Sequence, residues 1–128
     1  MFSHVMIGSN DIQRSKKFYD ALMGVLGGPS VEPDAKGRLR YIHDGGVLMI
    51  TTPIDGNPAT GANGGTIGFR TSGPEQANAL HDAACANGGT TCEDPPGVRG
   101  TPERQMYLAY FRDPDGNKLC ALHLMPSA

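Results

Sequence analysis

Apolar and polar residues alternate in several short stretches of the chain. Each stretch predicts a β-strand, because successive side chains of a strand point to opposite faces. In SHVMIG, at residues 3–8, His4 and Met6 share one face. Further strands are predicted at residues 38–43, 47–52, 66–71 and 106–112, and in KLCALHLM from residue 118. Shorter strands are predicted near Val31 and Thr91.

Two other stretches have the spacing of amphipathic helices. The first, IQRSKKFYDALMGVL, starts at Ile12 after Asn10 and Asp11, either of which suits the N-cap. The second opens at residues 72–74 with a proline suited to a first helical turn. Pairs of glycines end both helices. The predicted apolar stripes are Ile12, Tyr19, Leu22, Met23 and Leu26 in the first helix, and Ala77, Leu80 and Ala84 in the second.

The order of elements repeats after about 62 residues. Each half reads as strand, helix and then two or three strands, with DGG and DPDGN as hairpin turns. We therefore predict an α+β fold: one domain over residues 1–128, made of two βαβββ modules at about 1–58 and 64–125. The two modules would form one curved mixed sheet with a ligand cavity on its concave face. The segment PIDGNPATGANGG between them reads as an exposed linker.

Composition and charge narrow the function. The net charge is −2 with acids and bases interspersed, so no basic patch predicts a nucleic-acid partner. No stretch of about 18 apolar residues predicts a membrane span, and the N-terminus lacks a signal-peptide pattern. The three cysteines, Cys85, Cys92 and Cys120, have no CxxC spacing and read as reduced thiols. The expected location is the cytoplasm.

Three motifs give a resemblance to a known family: the opening HV strand, S-x-x-FYD in the first helix, and FRDPDGNKL near the end. Together with the paired modules, they resemble the vicinal oxygen chelate superfamily. That superfamily includes glyoxalase I, extradiol dioxygenases, fosfomycin resistance enzymes and bleomycin resistance proteins. The resemblance covers essentially the whole chain. It implies a small-molecule ligand and a homodimer, which the glycine-rich linker would allow to exchange halves.

The superfamily's enzymes hold a divalent metal through one inward residue on each of four strands. The resemblance places His4, Met49, Thr66 and Cys120 at those positions, and only His4 is a usual ligand. A thioether, a hydroxyl and a thiol suit a hard or borderline divalent metal poorly. We therefore expect no metal and no other cofactor. The alternative is a soft metal held by His4 and Cys120 with help from Met49.

Other candidate residues follow from the C-terminal half. A loop rich in Gly, Pro and Arg precedes the strand at residues 106–112, and in the resembling subfamily such a loop lies over the cavity. Arg99 or Arg104 would bind a carboxylate or phosphate there. Tyr107 shares one strand face with Ala109 and Phe111, and alternation does not decide whether that face or the opposite one meets the cavity. His123, three residues after Cys120, is expected to face away.

Two main hypotheses remain open. In the first, the protein binds a small organic molecule without chemistry, as bleomycin resistance proteins do. In the second, it is a lyase-like or dioxygenase-like enzyme with a rebuilt metal site, or one that uses His4 as a general base with Cys120 as its partner nucleophile. A third hypothesis is a subunit with a role in assembly. The predicted ligand-binding residues are His4, Met49, Thr66, Arg99, Tyr107 and Cys120.

Overall fold

The structure, a computed structural model, describes residues 1–126. Within that range the chain forms two helices and eight strands, and the predicted α+β class is confirmed. No helix in the described range is long and apolar enough to cross a membrane. The elements, in chain order, are β1 (Val5–Gly8), α1 (Ile12–Leu26), β2 (Leu39–His43), β3 (Gly46–Thr51), β4 (Ile67–Arg70), α2 (Pro74–Ala86), β5 (Thr90–Thr91), β6 (Gly97–Thr101), β7 (Arg104–Arg112) and β8 (Lys118–Leu124).

Helix α1 begins and ends at residues suited to its two termini. The side chain of Asp11 accepts a hydrogen bond from the backbone N–H of Arg14 at 3.1 Å, which caps the first turn. Gly27 ends the helix in a left-handed conformation with φ of 86°. Ile12 and Leu26, predicted at the ends of the apolar stripe, are only half-buried. The buried face consists of Ser15, Phe18, Tyr19, Leu22 and Met23.

The first sheet has the strand order β1-β3-β2. β1 runs parallel to β3, and β2 runs antiparallel to it. The connecting turn holds Asp44 and Gly45 at φ of 49° and 78°, as a two-residue type I′ hairpin requires. The strand predicted near Val31 is absent. Its backbone N–H instead donates to the carboxylate of Asp20 at 3.2 Å, so this segment is bound to α1 and not to the sheet.

The second sheet has the order β4-β8-β7-β5, and β6 also pairs with β7. β6 lies in a segment that the sequence predicts as a loop. The segment GVRGT alternates weakly and contains two glycines, which concealed the strand. Gly100 adopts φ of 105° opposite the Arg104 carbonyl, where a side chain would not fit. The tight β6–β7 hairpin therefore depends on this glycine.

The two sheets are not joined by backbone hydrogen bonds. β1 and β4 are edge strands, so among the described residues the predicted single curved sheet is a three-stranded and a five-stranded sheet. Helices α1 and α2 pack against each other, α1 against the first sheet and α2 against the second. The shared core comprises Phe18, Tyr19, Leu22, Leu39, Tyr41, Ile50, Leu80, Phe111 and Leu119, with smaller residues between them.

The DPDGN turn between β7 and β8 connects the second module to helix α1. The carboxylate of Asp115 is fully buried and accepts hydrogen bonds from the Asn10 N–H at 2.8 Å, the Arg14 guanidinium at 2.7 Å and the Ser15 hydroxyl at 3.2 Å. A carboxylate at a helix N-terminus is favoured by the helix dipole and by the free N–H groups there. The motif therefore has a structural role in this chain.

Two other residues of the turn, Asp113 and Asn117, also form hydrogen bonds with the first module. Asp113 accepts a 2.6 Å hydrogen bond from the buried Tyr19 hydroxyl, and burial beside this carboxylate raises the pKa of Tyr19 well above its usual value. The amide of Asn117 donates to the Gly8 carbonyl oxygen at the end of β1, at 3.1 Å. Together these bonds fix the second module against β1 and α1.

Candidate functional site

Each sheet has one face covered by helices and one face turned away from them. In β3, for example, Leu48 and Ile50 are buried against the helices, and Met49 points to the other side. We call this second side the open face. In the first sheet it carries Met6, Arg40, Ile42 and Met49, and in the second Gly68, Arg70, Leu108, Tyr110, Cys120 and Leu122.

The structure places the first two predicted site residues on the first sheet. Met49 is half-buried on the open face and pairs with Met6 of β1. His4 precedes β1, is exposed to solvent, and has its Nδ1 atom 2.8 Å from the Ser3 hydroxyl. An exposed imidazole with a local hydroxyl partner is available to solvent and to ligands. Among residues 1–126, His4 has no carboxylate partner that would orient it as a base.

Cys120 is the most enclosed of the predicted residues, with 5 % of its surface exposed. It lies on β8 between Gly68 of β4 and Tyr110 of β7. A Cβ atom added at Gly68 would lie 3.2 Å from the Cys120 sulfur, so the glycine leaves just enough room for the thiol. Burial raises the pKa of Cys120, which therefore stays a neutral thiol at neutral pH.

The two modules place their candidate residues in equivalent positions. Thr66 lies two residues before Gly68, the partner of Cys120, just as His4 lies two residues before Met6, the partner of Met49. Both leading residues, His4 and Thr66, are exposed. The sequence thus assigned four related positions, and the structure distributes them over two sheets that are not hydrogen-bonded to each other.

This donor set does not fit the divalent metal used by the superfamily's enzymes. A protonated thiol, a thioether and an exposed hydroxyl replace the imidazole and carboxylate donors that such an ion prefers. Among residues 1–126, no group of three or more His, Cys, Asp or Glu side chains is placed to hold a metal ion. We therefore derive no chemistry through a metal at these positions.

The remaining two predicted residues occupy other environments. The guanidinium of Arg99 donates to the backbone carbonyls of Asp94 and Pro95, at 3.1 and 2.9 Å, so it fixes its own loop. Tyr107 lies on the covered face of β7, where its hydroxyl donates to Asn78 of α2 at 2.8 Å. Alternation left open which face of this strand meets the ligand, and the structure places Tyr107 on the face that packs against the helices. The tyrosine on the open face of this strand is Tyr110.

One residue of the open face, Lys118 of β8, was missed by the sequence reasoning. Lys118 lies 4.9 Å from the ring centroid of Tyr110 and forms an ion pair with Glu93. Burial is the main cause of a raised pKa at Tyr110. This cluster borders Cys120. The same period-two count that selected Cys120 also selects Lys118, so the signal was present in the sequence.

The other histidines have structural partners. His43 lies 3.2 Å from the Leu26 carbonyl oxygen, His81 lies 2.9 Å from the Thr91 hydroxyl, and His123 lies 3.2 Å from the Thr71 carbonyl oxygen. His123 is on the opposite face of β8 from Cys120, as the alternation predicted. Each imidazole therefore connects two segments of the fold.

Comparison with known proteins shows the family to which this chain belongs. Residues 1–121 match the family described as the Glyoxalase/Bleomycin resistance protein/Dioxygenase superfamily. The chain belongs to this superfamily. A crystal structure of a glyoxalase/bleomycin resistance protein from Albidiferax ferrireducens T118 shares 57 % sequence identity, with a TM-score of 0.90 over 96 % of this chain and 98 % of that one. The resemblance predicted from the HV, FYD and DPDGN motifs is thus confirmed.

More distant superfamily structures share the fold alone. A family enzyme from Burkholderia phytofirmans PsJN is 19 % identical, with a TM-score of 0.72 over 96 % of this chain and 98 % of that one. A glyoxalase/bleomycin resistance protein/dioxygenase from Alicyclobacillus acidocaldarius is 16 % identical, with a TM-score of 0.68 over 98 % and 92 % of the two chains. No curated protein matches this chain significantly.

Proposed function

We propose that this superfamily member binds a small organic molecule on the open face of its sheets, without a divalent metal. The observation that carries the proposal is the environment of Cys120, a neutral thiol buried between Gly68 and Tyr110. An uncharged sulfur beside apolar and aromatic side chains suits the body of an organic ligand, whereas a metal would require a thiolate, an imidazole or a carboxylate at this position. Met49 contributes a second polarizable sulfur, on the open face of the first sheet.

A homodimer is part of this proposal. Several large apolar side chains of the two sheets remain exposed: Met6 by 39 %, Ile42 by 56 % and Leu124 by 55 % of their surface. Large apolar side chains exposed on the open faces of both sheets are typical of an association surface. A second copy that covers them would also exclude water from a bound ligand. Sedimentation equilibrium across a hundredfold concentration range tests the dimer directly, and a monomer throughout would refute it.

Location in the cytoplasm is the last part of the proposal. Cys85, Cys92 and Cys120 are all free thiols in the structure. Cys92 and Cys120 lie two strands apart, on either side of Tyr110. That separation of about 9.5 Å is too long for a disulfide. Free thiols without a disulfide framework are the usual state of proteins in a reducing compartment.

Metal analysis tests the proposal against the enzyme alternative. Wild type and His4→Ala are purified, then titrated with Zn, Ni, Mn and Fe(II), and the bound metal is quantified after gel filtration. We expect no stoichiometric metal in either protein. One equivalent of metal in wild type that is lost in His4→Ala would overturn the metal-free reading, and loss of the same metal in Cys120→Ser would locate a rebuilt site.

Ligand binding is tested in the presence of EDTA by a thermal-shift screen of small organic molecules. Compounds that raise the melting temperature are then titrated against Met49→Gln and Cys120→Ser on the open face. His81→Gln, on helix α2, is the matched control away from that face. We expect weaker binding in both open-face variants and unchanged binding in the control. Ligands that bind all three variants like wild type would contradict the proposed location.

A further inference from the structure

A cavity of about 620 Å³ separates the two modules. One wall comes from β1, the β2–β3 hairpin and the C-terminal end of α1, and the other from β4 and the first turn of α2. Most of its lining is apolar, and much of it comes from the helix side of the strands. None of the six ligand-binding residues predicted from the sequence lines it. The apolar part of the wall includes Met23, Leu26, Leu48, Ile67 and Phe69.

The two modules differ at this place, and the difference explains the cavity. Asp44-Gly45 and Asp115-Gly116 are equivalent, because each aspartate lies four residues before a leucine that pairs with the first strand of its module. Both glycines have positive φ, 78° and 88°. The turn that contains Asp115 spans residues 113–117 and delivers its carboxylate to the N-terminus of α1. The two-residue turn of Asp44 is three residues shorter and does not reach α2.

At the corresponding end of α2, no side chain caps the helix within residues 1–126: Glu75 lies in the first turn but is exposed and forms no cap hydrogen bond. The N-cap residue Gly73 has no side chain to accept a hydrogen bond. Gln76 accepts one from the Ser72 N–H at 2.8 Å and donates another to the Val25 carbonyl oxygen at 3.1 Å. Arg70, at the end of β4, also lines the cavity, and no ion pair engages it within residues 1–126. The cavity thus combines apolar walls with an unpaired cation.

We propose that this inter-module cavity binds a small organic anion, with its apolar body between the modules and its carboxylate on Arg70. Guanidinium binds carboxylate through two parallel hydrogen bonds, and the positive end of the α2 dipole favours the same charge. Asp44 also lines the cavity, but from the exposed hairpin tip, where water screens its negative charge. The site shares Gly68 and Arg70 with the open face but includes neither Met49 nor Cys120, and it does not depend on the function proposed there.

Naphthalene-1-acetate and its uncharged amide are suitable probes, because they differ only in the carboxylate. Each is titrated into ¹⁵N-labelled wild type and followed by amide chemical shifts. We expect the largest changes at Leu48, Phe69 and Ser72, and about tenfold tighter binding of the acid than of the amide. Changes confined to Met49 and Cys120 would place the probe on the open face and overturn the proposal.

Two variants and one control make the test specific. Arg70→Gln should bind acid and amide equally, whereas Arg104→Gln, on the β6–β7 hairpin outside the cavity, should keep the preference for the acid. Gly46→Phe should abolish binding of both probes, because residue 46 lies on the same strand face as Leu48. A Cβ there meets only the His43 carbonyl oxygen, at 3.6 Å, so the backbone tolerates it. Wild-type binding by Gly46→Phe, or an unchanged acid preference in Arg70→Gln, would refute the site.

Discussion

The junction at Asp115 provides the sharpest test of how the two modules are held together. The perturbation is Asp115→Asn, which keeps the shape of the side chain, removes its charge and turns one acceptor oxygen into a donor. The three donors around it remain: the Asn10 N–H, the Ser15 hydroxyl and the Arg14 guanidinium. The amide can accept only some of these bonds, and its NH₂ group must face a donor.

The magnitude follows from burial. The Asp115 side chain is fully buried, so a lost hydrogen bond to the charged group costs about 1.5–3 kcal/mol. The ion pair adds less, about 0.2–1 kcal/mol, because the Arg14 side chain is 44 % exposed and its charge is screened. We therefore expect Asp115→Asn to lower the free energy of unfolding by about 2–3 kcal/mol.

The matched control is Asp44→Asn, the same chemical change at the equivalent position of the other module. Asparagine tolerates the left-handed conformation that Asp44 adopts, and the Asp44 side chain is exposed at the hairpin tip. We expect its effect to stay within about 0.5 kcal/mol. Urea denaturation followed by circular dichroism measures both variants. Equal destabilisation by the two substitutions would refute the view that Asp115 holds the modules together.

Three further predictions concern ionisation, thiol reactivity and backbone space. Tyr19 and Cys120 have raised pKa values in the folded protein, so above about pH 9 the unfolded chain loses these protons more readily than the folded chain does. The free energy of unfolding should therefore fall as pH rises. Urea unfolding between pH 7 and 10.5 should show this fall, and Tyr19→Phe should reduce it. Cys85 is exposed, so iodoacetamide at pH 8 should label it well before the buried Cys120, as read by mass spectrometry of peptides; equal rates would contradict the burial of Cys120. In α1, Gly24→Ala should stabilise the protein by about 0.5–1 kcal/mol, because nothing lies within 4 Å of the new methyl group. Gly61→Ala should destabilise it, because its Cβ would collide with the backbone of the DPDGN turn, and thermal unfolding compares the two.

The sequence alone determined the helices, most of the strands and the face on which Met49 and Cys120 lie. These features depend on local rules: a period of 3.6 or 2, caps at helix ends, and Asp-Gly at a hairpin turn. The same rules failed where the alternation was weak or where a contact from a distant element replaced strand pairing. GVRGT carried too little alternation to reveal β6, and the residues near Val31 formed no strand because Asp20 of α1 binds their backbone.

Only the tertiary structure decided which side of β7 is open. Alternation places Tyr107 and Tyr110 on opposite faces of β7, but both faces carry apolar residues. Helix α2 determines which face is covered, because it packs over Tyr107 and its Asn78 accepts a hydrogen bond from the Tyr107 hydroxyl. The cavity between the modules is likewise invisible to periodicity. It exists because a two-residue turn at Asp44 and a five-residue turn at Asp115 reach different distances across the junction. Periodicity is a property of neighbouring residues. Which face a helix covers, and how far a turn extends toward another element, depend on how distant segments pack together.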